Sequence, residues 1–144
     1  MEIRALVVDG SKTMRNLVMR SLRETKLAQF SFFEAGDGVE GLAGFDPDKT
    51  DMIFVAWNMP NMNGIDFVKR IRTRQKRHVP VVMVTTESTI GKVEEALDEA
   101  GVDCFVVKPF TPAGLLSKIE PLIDSMASAR KSGGFLNKLT SRIP

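Results

Sequence analysis

Four short apolar runs in this chain stop at residues of another character. Residues 3–8 end at Asp9-Gly10, Met52-Ile53-Phe54-Val55 at Ala56-Trp57-Asn58, residues 79–84 at Thr85-Thr86, and residues 103–107 at Lys108-Pro109. Among these are a carboxylate, a hydroxyl and an ammonium group, the kinds of side chain that meet a charged ligand. If the runs are neighbouring parallel strands, their ends share the edge at which such sheets hold ligands. Ala56 is the odd member, because a methyl group is neither a nucleophile nor a ligand.

Two other stretches have spacings with a chemical meaning. Gly36-Asp37-Gly38-Val39-Glu40-Gly41 fits G-x-G-x-x-G, the glycine pattern that lets a dinucleotide pyrophosphate approach backbone. It opens the second strand–helix unit instead of the first, its helix is short, and no acid ends the next strand. Its glycines therefore read as turn and packing residues. The phosphate-cradling G-x-x-x-x-G-K-[ST] is absent. Residues 69–78 carry six Lys and Arg, but no aromatics interleave with them and no DNA-binding motif follows. They read as the solvated end of a helix, where cations are favoured, and nucleic acid is not an expected partner. His78, the only histidine, reads as a surface loop residue.

The elements that must position the strand ends alternate along the chain. After the first strand, Met14, Leu17, Val18, Ser21 and Leu22 share one helical face. Residues 30–33 read as a second strand and 39–45 as a short helix. The run ending at Ala56 shows no alternation, as expected of a strand buried on both faces. Ile65, Val68 and Ile71 mark the third helix, and Val93, Ala96, Leu97 and Ala100 stripe the fourth. Thr111-Pro112 opens the last helix as cap and first residue, with Leu115, Leu116, Ile119, Leu122 and Ile123 inward. Five such units imply an α/β fold with a parallel sheet covered on both faces.

Composition bounds the rest. The 144 residues suffice for one domain with a real core. No apolar stretch approaches the roughly 20 residues of a membrane span, and the first residues lack the layout of a signal peptide. A cytoplasmic protein is expected, with the lone Cys104 a buried, inert thiol. All 18 acidic residues and 16 of the 20 Lys and Arg lie at or before Asp124, leaving that stretch at −2 and residues 125–144 at +4. The expected division is a body over residues 1–124 and a basic tail over 125–144. In the tail, Ser132-Gly133-Gly134 reads as a flexible linker, followed by Phe135, Leu136, Leu139 and Ile143 on one face of a short amphipathic helix.

The set V-V-D, W-N-M-P-x-M-x-G, V-T-T-E and V-V-K-P-F, at residues 7–9, 57–64, 84–87 and 106–110, resembles the receiver domain of bacterial response regulators. The likeness is close to the single-domain chemotaxis type and covers residues 3 to about 124. It implies a flavodoxin-like, doubly wound (βα)5 fold with strand order 2-1-3-4-5. It assigns Asp9 to a pair of acids that hold Mg²⁺ and Ala56 to the position of the phosphoryl-accepting aspartate. It assigns Thr85 and Phe105 to the switch, Lys108 to pairing with the phosphoryl oxygens, and a cis bond to Lys108-Pro109.

Two positions depart from that pattern: Ala56 has no acceptor, and Gly10 stands where the second acid belongs. Asn63, in place of the usual aspartate, suits its turn equally well. Mg²⁺ is generally held by one or two carboxylates plus waters, so Asp9 with the carbonyl of Asn58 makes a weak or absent site. No cofactor and no catalysis are expected. Lys108, deprived of the acceptor, should turn to Asp9 or to solvent. The expectation is a phosphorylation-independent interaction module that meets signalling proteins through its fourth helix, fifth strand and fifth helix. A homodimer is a further option, and a membrane is not an expected partner. Two readings stand beside it: a competent response regulator seen as an Asp-to-Ala variant, and a flavodoxin-like small-molecule-binding module.

Overall fold

The apolar runs lack polar alternation because both faces of the sheet they form are covered. The computed structural model describes the backbone of residues 1–140 and the side chains of residues 1–131. Strands β1 (Glu2–Val8), β2 (Gln29–Ala35), β3 (Met52–Val55), β4 (Val81–Thr85) and β5 (Cys104–Val107) alternate with helices α1 (Lys12–Arg23), α2 (Gly38–Gly44), α3 (Gly64–Arg74), α4 (Ile90–Glu94) and α5 (Pro112–Thr140). The five strands form one parallel sheet in the order β2-β1-β3-β4-β5, the doubly wound arrangement that the resemblance implied.

Successive residues of each strand enter different layers of core. Leu6, Val8, Ile53, Val55, Val81 and Met83 join one layer with Phe67, Val68 and Ile71 of α3. Ala5, Val7, Phe54, Val82 and Val84 join the other with Val18 and Leu22 of α1 and Leu115, Ile119 and Ile123 of α5. Each helix opens on a side-chain cap. Ser11 accepts from the Met14 N–H, Asp37 from Glu40, Asn63 from Asp66, Thr89 from Lys92 and Thr111 from Gly114. The Thr111-Pro112 opening is as read from sequence, whereas Asn63, read as a turn residue, is the N-cap of α3.

Several boundaries differ from expectation. β2 is longer than residues 30–33, and α2 begins and ends one residue early. β4 starts at Val81 rather than Val79, because Pro80 has no N–H and the Val79 N–H donates to Oε1 of Gln75, 3.1 Å away. The stripe Val93, Ala96, Leu97, Ala100 is not one α-helical face. After α4 the chain widens into a π-helical turn over Glu95–Glu99, with the Ala100 N–H donating to the Glu95 carbonyl. Ala96 and Ala100 stay buried, while Leu97 is turned out to 37% exposure. Cys104 is half-buried instead of buried, its Sγ 3.7 Å from the Lys118 carbonyl.

The helix α5 is continuous across Ser125, so the change in charge there does not coincide with a break in the backbone. It also spans Ser132-Gly133-Gly134, read from composition as a linker. The expected face of Phe135, Leu136, Leu139 and Ile143 lies outside the described side chains. No described helix is long and apolar enough to cross a membrane.

Candidate functional site

Register alone gathers the strand-end residues. Val8 is paired with Val55, and Val55 with Met83, so Asp9 and Ala56 follow side by side where β1 and β3 end. Thr85 is paired with Val107, which brings Lys108 in immediately beyond it. The Ala56 N–H donates to the Val8 carbonyl at 2.9 Å and the Lys108 N–H to the Thr85 carbonyl at 2.8 Å. The order of the strands changes direction between β1 and β3, so the cluster sits at the switch point of the sheet.

The centre of the cluster is an ion pair. Lys108 Nζ lies 3.1 Å from Asp9 Oδ2, with the two side chains 18% and 13% exposed. The other Asp9 oxygen accepts the Ser11 N–H at 2.8 Å. Arg15, which no motif or spacing singled out, donates to the Asp9 carbonyl at 2.6 Å and pairs with Glu34 at 3.1 Å. Asp9 is thus held from both ends of its residue.

Around this pair the remaining residues supply little charge. Ala56 is buried, and beneath it lies a void of about 10 Å³ whose lining is apolar apart from Asp9. Gly10 leaves room beside the pair, since a Cβ there would meet Pro60 Cδ at an ordinary 3.4 Å. Thr85 is buried, and its Oγ1 is the acceptor for the Glu87 N–H at 3.3 Å. Phe105 is half-buried and packs on the core layer that contains Phe67 and Met83. Asn58 is exposed. The Lys108-Pro109 bond is cis. Among the described residues there is no group of three or more His, Cys, Asp or Glu that could hold a metal.

The loop after β3 is tied down on both sides. Gly64 approaches the Ala56 carbonyl so closely that any side chain there would collide with it. Asn61 takes a positive φ of 68° and its amide donates to Asp37 at 2.8 Å. That bond and the Glu40 N–H, the larger influence, hold the Asp37 carboxyl below its usual range. The Trp57 ring is buried, with Lys92 Nζ 4.8 Å from its centroid, a cation–π contact that joins this loop to α4.

The other sequence candidates settle as structural residues. Gly38 packs against Met62 and Gly41 against Phe67 and Val8, so G-x-G-x-x-G is a packing device. Much of the basic run is engaged: Arg72 with Asp103 and the Gly101 carbonyl, Lys76 with Asp48, Arg77 with Asp51. His78 is exposed, as read, but its ring nitrogen lies 2.7 Å from Asp103.

The model of the response regulator receiver domain matches residues 5–120. The chain is 39% identical over 123 residues to chemotaxis protein CheY1 of Helicobacter pylori, covering 84% of this chain and 97% of that protein. It is 37% identical to chemotaxis protein CheY-3 of Vibrio cholerae over 125 residues, 86% of this chain and 94% of the other. Among solved structures it resembles Vibrio cholerae CheY4, with a TM-score of 0.72 and 34% identity over 81% of this chain and 95% of that one. A CheY-like receiver from Methanospirillum hungatei, at 22% identity and a TM-score of 0.76, shares the fold.

Proposed function

The chain belongs to the response regulator receiver domain family of two-component signal transduction, and we propose that within it this protein is a phosphorylation-independent interaction module. The observation that carries the reading is the Lys108–Asp9 ion pair beside the methyl group of Ala56. A phosphoryl group needs a nucleophile to receive it and cations to neutralise its oxygens. The position next to Asp9 offers neither carboxylate nor hydroxyl, and the ammonium group is already taken.

The residues present do not fit Mg²⁺. One carboxylate and an exposed-loop carbonyl are fewer than the pair of acids that the receiver pattern places here, and Gly10 and Ala56 add no ligand oxygen from their side chains. The Lys108 ammonium, 3.1 Å from Asp9, already balances the charge of that one carboxylate. No metal-dependent step is therefore assigned to this protein, and it is not read as an enzyme.

Output through α4, β5 and α5 is supported by the apolar side chains that face solvent there. Ile90 is 78% exposed, Val107 42% and Leu97 37%. Exposed apolar side chains on these elements supply the kind of surface that protein partners bury. The partners would be signalling proteins, and the relatives' names point to chemotaxis.

The test is incubation with acetyl phosphate and Mg²⁺ followed by intact-mass measurement. The expected mass is unchanged; a stable gain of about 80 Da, one phosphoryl group, would overturn the reading. A second reading, an inactivated variant of a phosphoryl-accepting regulator, draws on the retention of Thr85, Phe105 and Lys108. Gly10 speaks against it, since a block on phosphorylation needs one substitution only. An aspartate codon for residue 56 in the encoding gene would decide for it. The void under Ala56, about 10 Å³ or one water, lends no support to a nucleotide or flavin site.

A further inference from the structure

The opposite end of the sheet, where β1, β3, β4 and β5 begin, carries a larger feature. Among the described residues, a groove of about 920 Å³ runs between the strand starts and residues 122–130 in the middle of α5. Its volume is that of small-molecule sites, which span roughly 300–1,000 Å³. One wall is apolar, made by Leu122, Met126 and Ala129, spaced to share a face of α5.

The floor is charged and unevenly matched. Asp51, its side chain only 9% exposed, accepts the Arg4 N–H at 2.8 Å. The same carboxylate is approached by three guanidinium groups: Arg77 at 3.2 Å, Arg130 at 3.3 Å and Arg4 at 3.7 Å. One negative charge faces three positive ones. Arg77 also donates to the Thr50 carbonyl at 3.1 Å and Arg130 to the Glu2 carbonyl at 2.7 Å, yet all three side chains line the groove and stay 42–58% exposed. Asp103, also lining it, is already matched by Arg72 and His78, and Glu2 offsets only one of the two surplus cations.

We propose that this groove binds a small amphiphilic anion: a carboxylate on an apolar body of medium length. Guanidinium groups present paired donors in the geometry of a carboxylate, and the α5 face offers the apolar body a surface out of water. An inorganic anion would leave that wall unused, and a neutral lipid would leave the arginines unmatched. The groove lies at the far end of the sheet from Ala56, so this binding stands apart from the reading of the vacated pocket. Its one connection with the proposed output is α5, which supplies both a wall here and part of the interaction face.

The test is calorimetric titration of the full chain with decanoate below its micelle concentration, beside decan-1-ol, decyltrimethylammonium and inorganic phosphate. Decanoate alone should bind saturably, with amide shifts at the starts of β1, β3 and β4 and along residues 122–130. Arg77→Gln, which leaves Asp51 its other two arginines, should weaken binding about tenfold. Met126→Glu should abolish it with the circular dichroism spectrum unchanged. No saturable binding of decanoate overturns the proposal, as does equal binding of decan-1-ol or phosphate. Unchanged affinity in both variants also overturns it. Affinity that falls as protein concentration rises would assign the groove to a second copy and overturn it too.

Discussion

Lys108 and Asp9 stand 99 residues apart in the chain and 3.1 Å apart in the fold. Each is at the end of a different strand, and neither is next to the other's strand in the sheet, where β3 and β4 lie between β1 and β5. The long lysine side chain spans that gap to reach Asp9. Asp9 and residue 56 follow paired strand residues and lie side by side, so with a methyl group at 56 the carboxylate left for Lys108 there is Asp9.

The pair's contribution follows from its partial burial. Removing one member of a buried pair strands the other's charge, whereas an exposed pair matters little. At 18% and 13% exposure, Lys108→Ala should cost about 1–2 kcal/mol. Asp9→Ala with Lys108→Ala should lie closer to the unaltered protein than the sum of the single changes. Urea unfolding of the four proteins in the cycle measures this; additive costs would deny any coupling.

Restoring the acids should restore cation binding in steps. Gly10 has room for a Cβ, at 3.4 Å from Pro60 Cδ, and Ala56 borders the void of about 10 Å³. Gly10→Asp with Ala56→Asp should bind Mg²⁺ and accept phosphoryl from acetyl phosphate, while Ala56→Asp alone should do so far more weakly. Trp57, the sole tryptophan, directly follows residue 56 and reports the titration by its fluorescence. The unaltered protein should show no saturable response to Mg²⁺.

Gly64 allows the loop after β3 to close onto the strand it leaves. A methyl group there would collide with the Ala56 carbonyl and come within 3.1 Å of Met83 Cε. Backbone atoms cannot yield as a side chain can, so Gly64→Ala should destabilise by about 3 kcal/mol, the upper range for overpacking. Thermal unfolding checks this, and a shift within a degree of the parent would refute the close approach.

Burial pushes the Cys104 thiol above its ordinary value, with Lys118 opposing the rise and Asp103 adding to it. The thiolate, not the thiol, reacts with alkylating agents. Iodoacetamide at pH 8 should therefore modify the folded chain more slowly than the urea-unfolded chain. The linkage has a definite sign: the fold favours the protonated thiol. Stability is unaffected below the unfolded thiol's pKa and declines as pH rises through the folded one. Cys104→Ser should remove that part of the alkaline decline.

The alternation of apolar runs and helical stripes, read with the motifs at the strand ends, was enough to name the fold and to find Asp9, Ala56, Thr85 and Lys108 as neighbours. Period and punctuation are local properties that imply a parallel α/β sheet, while the strand order 2-1-3-4-5 came from the resemblance carried by the motifs. The identities of Ala56 and Gly10 likewise need no coordinates, because a missing carboxylate is missing in any conformation. The π-helical turn after α4 was not legible, since Val93, Ala96, Leu97 and Ala100 fit a regular helix and packing alone turns Leu97 outward. Arg15, Arg77 and Arg130 were equally silent, for a cation's spacing along the chain does not say which distant carboxylate it will reach. Those partners, and the groove between α5 and the strand starts, arise from long-range packing that brings together segments up to 128 residues apart.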